Sequence, residues 1–320
     1  MSLGIVFPGQ GSQTVGMLAD IAAEFPLVRE HFEQAGETID VGLWQIVCEG
    51  PEELLARTEV TQPALLTAGV ALWVLWQSQG GRAPAFMAGH SLGEYSALVC
   101  AGAIEFTDAV RLVHQRGKFM REAVPQGEGA MAAILGLDEG DVISCCAEVP
   151  GIVSPANFNA PGQIVIAGTA ESVQAAVENC QNAGARRAVL LNVSGPFHCA
   201  LMKPAEDDFA AVLKDVQIRM PSIPVVHNVD GKVAVDEADV RNKLLAQLAE
   251  PVQWITCVKT MMAEGVDSMI ECGPGKVLAG LFKRIDRSLS VVNLGTLDGL
   301  NQALSKDVLA GKNDRASDGE

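Results

Sequence analysis

Apolar residues fall in short runs that alternate with stretches of helical spacing along most of the chain. Leu3-Gly4-Ile5-Val6-Phe7 has the length and composition of a buried strand, and it stops at Pro8-Gly9-Gln10-Gly11-Ser12, a tight loop. A helical pattern runs from Gly16 to Glu33 with a break at Pro26. Gln62-Pro63 reads as the opening of a second helix, Ala64 to Gln77, with Leu65, Leu66, Leu72 and Leu75 on buriable spacings. Pro84 to His90 predicts a short strand, Leu92 to Gly102 an apolar helix, and Thr107 to Val124 another helix.

From about residue 127 to 194 the rhythm changes. Ala130–Leu137 reads as a strand, Asp138–Val149 as a helix, and Gly151–Asn157 and Gln163–Gly168 as strands joined by the turn signal Asn159-Ala160-Pro161-Gly162. Thr169–Gly184 is a helix and Arg187–Val193 a last strand. The order βαββαβ is that of a ferredoxin-like unit. The expected organisation is therefore a core built from 1–126 and 195–311, a small domain inserted at 127–194, and a polar tail at 312–320. After the insert, Val225-Val226-His227, Val240–Leu248, Ser268-Met269-Ile270 and Lys276–Arg284 alternate strand and helix again. Alternation of this kind implies an α/β sheet with helices on both faces.

Composition narrows the class. The chain has 320 residues, is 48% hydrophobic, and carries a formal net charge of −16. It reads as a globular protein with no basic footprint for nucleic acid. No apolar run reaches the roughly 18 residues of a membrane span. Met1 to Phe7 has no basic leader and runs straight into a strand, which predicts a cytoplasmic protein. The eight cysteines include no CxxC pair, and the five histidines include no HExxH, so no metal is expected.

Gly89-His90-Ser91-Leu92-Gly93 is a GxSxG sequence placed between a predicted strand and a predicted helix. That context turns a common string into a nucleophile elbow, with Ser91 raised above the sheet and the Leu92 N–H at the helix start as an oxyanion donor. The Gln10 N–H is the candidate second donor, although its loop also reads as a plain tight turn. A serine nucleophile needs a base. His198, just past the insert, is preferred over His227, while His31 and His114 fall within helical runs. No acid announces itself as a third member, since Asp207 and Asp208 fall on a helix; a carbonyl can orient an imidazole instead. Arg116 is either a solvated helix charge or a buried carboxylate clamp.

Taken together, these residues resemble the malonyl-CoA:acyl carrier protein transacylases of bacterial fatty-acid synthesis. The resemblance covers almost the whole chain. It is carried by Phe7-Pro8-Gly9-Gln10-Gly11-Ser12-Gln13, Thr61-Gln62-Pro63-Ala64, Gly89-His90-Ser91-Leu92-Gly93-Glu94-Tyr95, Arg116-Gly117-Lys118-Phe119-Met120, Asn157-Phe158-Asn159, His198-Cys199-Ala200-Leu201-Met202, Pro251-Val252-Gln253-Trp254 and Glu271-Cys272-Gly273-Pro274-Gly275. It implies an α/β-hydrolase-like core with a ferredoxin-like insert. It implies Ser91 as the acylated nucleophile, His198 as base, and the Gln10 and Leu92 amides as oxyanion hole. It further implies Arg116 on the malonyl carboxylate, Gln62 and Phe197 lining the substrate pocket, and the Gln247 carbonyl orienting His198. Reaction would be ping-pong, with malonyl-CoA as substrate, acyl carrier protein as partner and no cofactor, in a monomer. Lys276, Lys283, Arg284 and Arg287 form a candidate basic patch for that acidic partner. A free-standing chain of this kind is expected to act outside a polyketide synthase.

Overall fold

Two sheets organise residues 2–305, the part of the chain that this computed structural model describes. The predicted polar tail lies outside it. The larger sheet has the strand order β7-β2-β1-β8-β9, and every pair in it is parallel. Its strands are β1 (Ser2–Phe7), β2 (Phe86–Gly89), β7 (Val225–Val226), β8 (Val266–Glu271) and β9 (Ser290–Asn293). Along β1 the side chains alternate between two apolar cores. Leu3, Ile5 and Phe7 enter the main one, and Val6 joins Trp254, Val258, Met269 and Phe282 on the other face. A parallel sheet buried on both faces reads as a continuous apolar run for this reason.

The smaller sheet, β4-β5-β3-β6, is antiparallel throughout. It is made of β3 (Gly129–Leu135), β4 (Val153–Ala160), β5 (Gln163–Thr169) and β6 (Arg187–Leu190), with α8 (Glu139–Ala147) and α9 (Ala170–Asn182) between them. That is the ferredoxin-like strand order. Ile134, Val142, Ile164, Ile166 and Val173 make its own apolar core. Its edge strand β4 is stitched to the larger unit at Val252, through Phe158 N–H to Val252 O at 2.9 Å and Val252 N–H to Ala156 O at 2.9 Å. The α/β architecture with a small antiparallel sheet is thus the one the pattern predicts.

The helix α5 (Thr58–Ser78) corrects one expectation: it starts before Pro63 and contains it. A proline inside a helix orphans the carbonyl four residues back. Here that carbonyl belongs to Glu59, and His114 of α7 (Phe106–Glu122) donates its Nδ1–H to it at 2.8 Å. The side chain replaces the missing backbone donor, so the helix runs on. α5 is buried almost all round because α2 (Pro26–Ile39), α6 (Gly93–Cys100) and α7 surround it. Pro26 does end one helix, α1 (Ala19–Glu24), and begin α2. The helices α3 (Leu43–Glu49), α4 (Glu52–Leu55) and α12 (Trp254–Ala263), and the strand β9, were not predicted, and β6 stops at Leu190, short of Val193. Among the described residues no helix is long and apolar enough to cross a membrane.

The Pro63–His114 relation makes a stability prediction. His114→Ala strands a carbonyl and should cost about 1–3 kcal/mol. In a Pro63→Ala background the restored N–H takes over, so the same His114→Ala change should cost clearly less. Urea melts of the four proteins check this, and equal costs in both backgrounds would refute it.

Candidate active site

The parallel register Phe7↔Gly89 brings the loops after β1 and β2 to one level at the carboxyl ends of the strands, where open α/β sheets place their ligands. Steric contact explains both glycines of the elbow. A Cβ on Gly89 would lie 1.8 Å from the carbonyl carbon of Gly93, and one on Gly93 would lie 2.1 Å from Phe7 O. Between them Ser91 takes φ 50°, a left-handed conformation that a serine adopts only when held. Asn228 and Gln247 hold it: Ser91 N–H donates to Asn228 Oδ1 at 2.7 Å, and Gln247 Nε2 donates to Ser91 O at 3.0 Å. Asn228 Nδ2 also donates to Gly89 O at 2.7 Å. Among the described residues, neither the Leu92 nor the Gln10 amide has a hydrogen-bond acceptor in the protein, and both residues line the cleft beside Ser91.

His198 Nε2 lies 2.7 Å from Ser91 Oγ, and its Nδ1 lies 2.7 Å from the Gln247 carbonyl. A carbonyl only accepts, so Nδ1 carries the proton and Nε2 is left to receive one from Ser91. His198 is 3% exposed and has φ 59°. Burial, with the Arg116 charge second, depresses its pKa from 6.5 to about 3. The other histidines are engaged elsewhere: His227 with Glu94, His90 with Asn159 at 2.7 Å, His31 with Leu27 O and His114 with Glu59 O. Asp207 and Asp208 are exposed on α10 (Lys203–Leu213), so the orienting group is a backbone carbonyl.

Arg116 is buried to 1% exposure, which removes the solvated-charge reading. Its Nη1 donates to Gln62 Oε1 at 2.9 Å and its Nη2 to Gln247 Oε1 at 2.8 Å, with Ser91 Oγ 3.4 Å away. The guanidinium also lies 5.2 Å from the centre of the Tyr95 ring. Among the described residues Nε has no hydrogen-bond partner and no carboxylate is within ion-pair distance of Arg116. It is a buried cation facing a cleft of ≈ 210 Å³ whose walls include Met120, Val193, Phe197 and Leu281. Phe197 is buried and contributes an apolar wall.

Three features of the site escaped the sequence reading: Asn228, the side chain of Gln247, and Glu94, which is fully buried one turn after Ser91. A single charged residue in the otherwise uncharged Gly93–Cys100 helix was the available signal for Glu94. Of the four cations of the predicted patch, Lys276 precedes α13 (Val277–Ile285), Lys283 and Arg284 lie on it and Arg287 follows it; all are exposed, and Val277, Leu278 and Leu281 of that helix border the cleft. No group of three or more potential metal ligands occurs among the described residues.

Comparison with known proteins decides the family. Residues 5–315 match the acyl transferase domain. The chain is 56% identical over 301 residues to the malonyl CoA-acyl carrier protein transacylase of Escherichia coli K12, covering 93% of this chain and 97% of that one. The chain belongs to the malonyl-CoA:acyl carrier protein transacylase family. The Bacillus subtilis member is 44% identical over 317 residues, 98% of this chain and 99% of its own. Among solved structures, the acyl carrier protein S-malonyltransferase of Vibrio cholerae superposes with a TM-score of 0.93 at 50% identity, covering 94% of this chain and 99% of that one. A malonyl transacylase solved in complex with a type II polyketide acyl carrier protein gives 0.94 at 51% identity, over 96% and 100% of the two chains.

In this transacylase family member the depressed His198 pKa has a defined sign. The folded protein resists protonation that the unfolded chain accepts below 6.5, so the stability this histidine contributes above 6.5 falls as pH drops toward 3. His198 also stays mostly neutral until the pH nears 3. The pH profile of kcat/KM for acylation should therefore show no acid limb near 6.5. Arg116→Gln removes the second cause of the depression and should move the limb upward. A wild-type limb at the ordinary histidine value would contradict this.

Proposed function

We propose that this chain transfers a malonyl group from malonyl-CoA to the phosphopantetheine thiol of an acyl carrier protein through a malonyl ester on Ser91. The observation that carries the reading is Arg116, a buried cation that has no carboxylate partner among the described residues and opens into the cleft 3.4 Å from the nucleophile. A site of this kind is complementary to an acyl group that ends in a carboxylate.

In the first half-reaction Ser91 Oγ attacks the thioester carbon while His198 Nε2 takes its proton. The oxyanion that forms is met by the Gln10 and Leu92 amides, worth about 3 kcal/mol per donor. The tetrahedral intermediate collapses, the C–S bond breaks, and His198 returns the proton to the departing coenzyme A thiolate. The carrier-protein thiol then enters, gives its proton to His198 and attacks the ester, and Ser91 is released with its hydrogen restored. When malonyl binds, its carboxylate offsets the Arg116 charge. That removes one of the two leading causes of the low His198 pKa, so the base becomes stronger once the correct acyl group is seated. Every step is assigned to residues of this chain, and the reading needs no cofactor. It takes the protein as a cytoplasmic monomer without nucleic-acid or membrane partners, in keeping with a net charge of −16. The complex of a relative with its acyl carrier protein supports the choice of partner.

Acyl choice is the test. An apolar pocket discriminates malonyl from acetyl by only about 1–3 kcal/mol. A buried guanidinium left unpaired by acetyl does more. Arg116→Ala should lose malonyl transfer by about 2–5 kcal/mol and gain in relative use of acetyl-CoA. Arg116→Lys should recover part, because a point charge does not reproduce the planar fork. The measurement is kcat/KM with each thioester, and an unchanged malonyl-to-acetyl ratio in Arg116→Ala would place selectivity elsewhere.

A further inference from the structure

Glu94 is fully buried on α6, and its carboxylate binds both residues that hold Ser91, Asn228 and Gln247. Oε1 accepts from His227 Nδ1 at 2.7 Å. Oε2 accepts from the Asn228 N–H at 2.8 Å and from Gln247 Nε2 at 2.8 Å. The third bond matters most for chemistry. An amide side chain is an acceptor at one end and a donor at the other, and its direction is set by its neighbours. The Gln247 NH2 has two hydrogens. One faces the Ser91 carbonyl at 3.0 Å and the other faces Glu94. Both partners accept, so the amide oxygen must point the opposite way, where Arg116 Nη2 meets it at 2.8 Å.

We propose that Glu94 is a positioning residue for the carboxylate clamp: it holds the Gln247 amide with its oxygen toward Arg116. The inference rests on reading Arg116 as the malonyl clamp. It also explains how a buried cation is steadied without being neutralised. A carboxylate in direct contact with Arg116 would occupy the place of the malonyl carboxylate. With one amide interposed, the guanidinium is fixed by neutral acceptors, Gln62 Oε1 and Gln247 Oε1, and keeps its charge for the substrate. The same residue, Gln247, presents its backbone carbonyl to His198. Glu94 thus acts on acyl selection through the side chain of a residue whose main chain serves the base.

Two conservative variants separate position from charge. Glu94→Gln keeps the length and an oxygen that accepts from Asn228 and Gln247. Its NH2 then faces His227, whose Nε2 has no partner among the described residues and is free to carry the proton in the other tautomer. Glu94→Asp keeps the charge but withdraws the carboxylate from Gln247 by one methylene. The experiment measures kcat/KM for malonyl-CoA and acetyl-CoA in wild type, both variants, Arg116→Ala and the Glu94→Asp/Arg116→Ala double variant.

Glu94→Gln should keep the malonyl-to-acetyl ratio within about threefold of wild type, and Glu94→Asp should lower it by about tenfold, the scale of one hydrogen bond to a charged group. The loss should appear in KM for malonyl-CoA and should vanish in the Arg116→Ala background. A ratio unchanged in Glu94→Asp, with both substrates slowed equally, makes Glu94 a structural residue only and overturns the inference while leaving the clamp. A ratio that falls as far in Glu94→Gln as in Glu94→Asp also overturns it, since charge would then be the cause. If Arg116→Ala itself keeps the ratio, the clamp reading fails and this inference fails with it.

Discussion

Arg116 is a full positive charge held at 1% exposure with, among the described residues, no carboxylate in ion-pair contact, and the architecture of the site follows from keeping it there. Moving an unpaired charge out of water costs several kcal/mol unless its hydrogen bonds are satisfied. Two amide oxygens, from Gln62 on α5 and Gln247 just after α11 (Glu237–Ala246), supply part of that compensation, and the Tyr95 ring a little more. The rest is left open toward the cleft. The same charge reaches the base, where it adds to burial in holding His198 neutral. If Arg116 is the malonyl clamp proposed above, selectivity and nucleophile activation are coupled through one guanidinium.

Gln247 is where the coupling becomes structural. Its carbonyl orients His198, its amide oxygen steadies Arg116, and its amide nitrogen braces the strained Ser91 backbone. The chain then continues to Val252, which pairs with β4 of the smaller sheet. The smaller sheet thus closes one side of the cleft and is tied to the segment that carries Gln247. His90 makes a second tie, from the elbow to Asn159 on β4. Stiffness of this kind preserves the left-handed φ values of Ser91 and His198, each of which costs of order 1–3 kcal/mol in isolation.

Local chemistry was legible in the residues themselves. The GxSxG sequence lies where a strand meets a helix, and its glycines are demanded by contacts with backbone only about 2 Å from a would-be Cβ. The βαββαβ order of the insert was legible because each element is short and bounded by Gly, Pro or Asn. The orienting carbonyl was not, because every residue has one; Gln247 came only from the family resemblance. Pro63 misled because proline normally starts a helix, and nothing in the local sequence says that His114, far along the chain, will satisfy the orphaned carbonyl. Glu94 was hidden for the opposite reason. It directly follows the GxSxG sequence, and its meaning depends on three partners that fold in from residues 227, 228 and 247.

The central claim is a malonyl ester on Ser91, and the intact mass of the protein tests it most directly. Incubated with malonyl-CoA and no acceptor, the wild-type chain should gain one malonyl group, mapped to the peptide containing Ser91 and discharged by a phosphopantetheine thiol. Ser91→Ala should gain none while remaining folded. An adduct that persists in Ser91→Ala, or free malonate released without an accumulating adduct, would contradict the account, the first by moving the nucleophile and the second by making the protein a hydrolase.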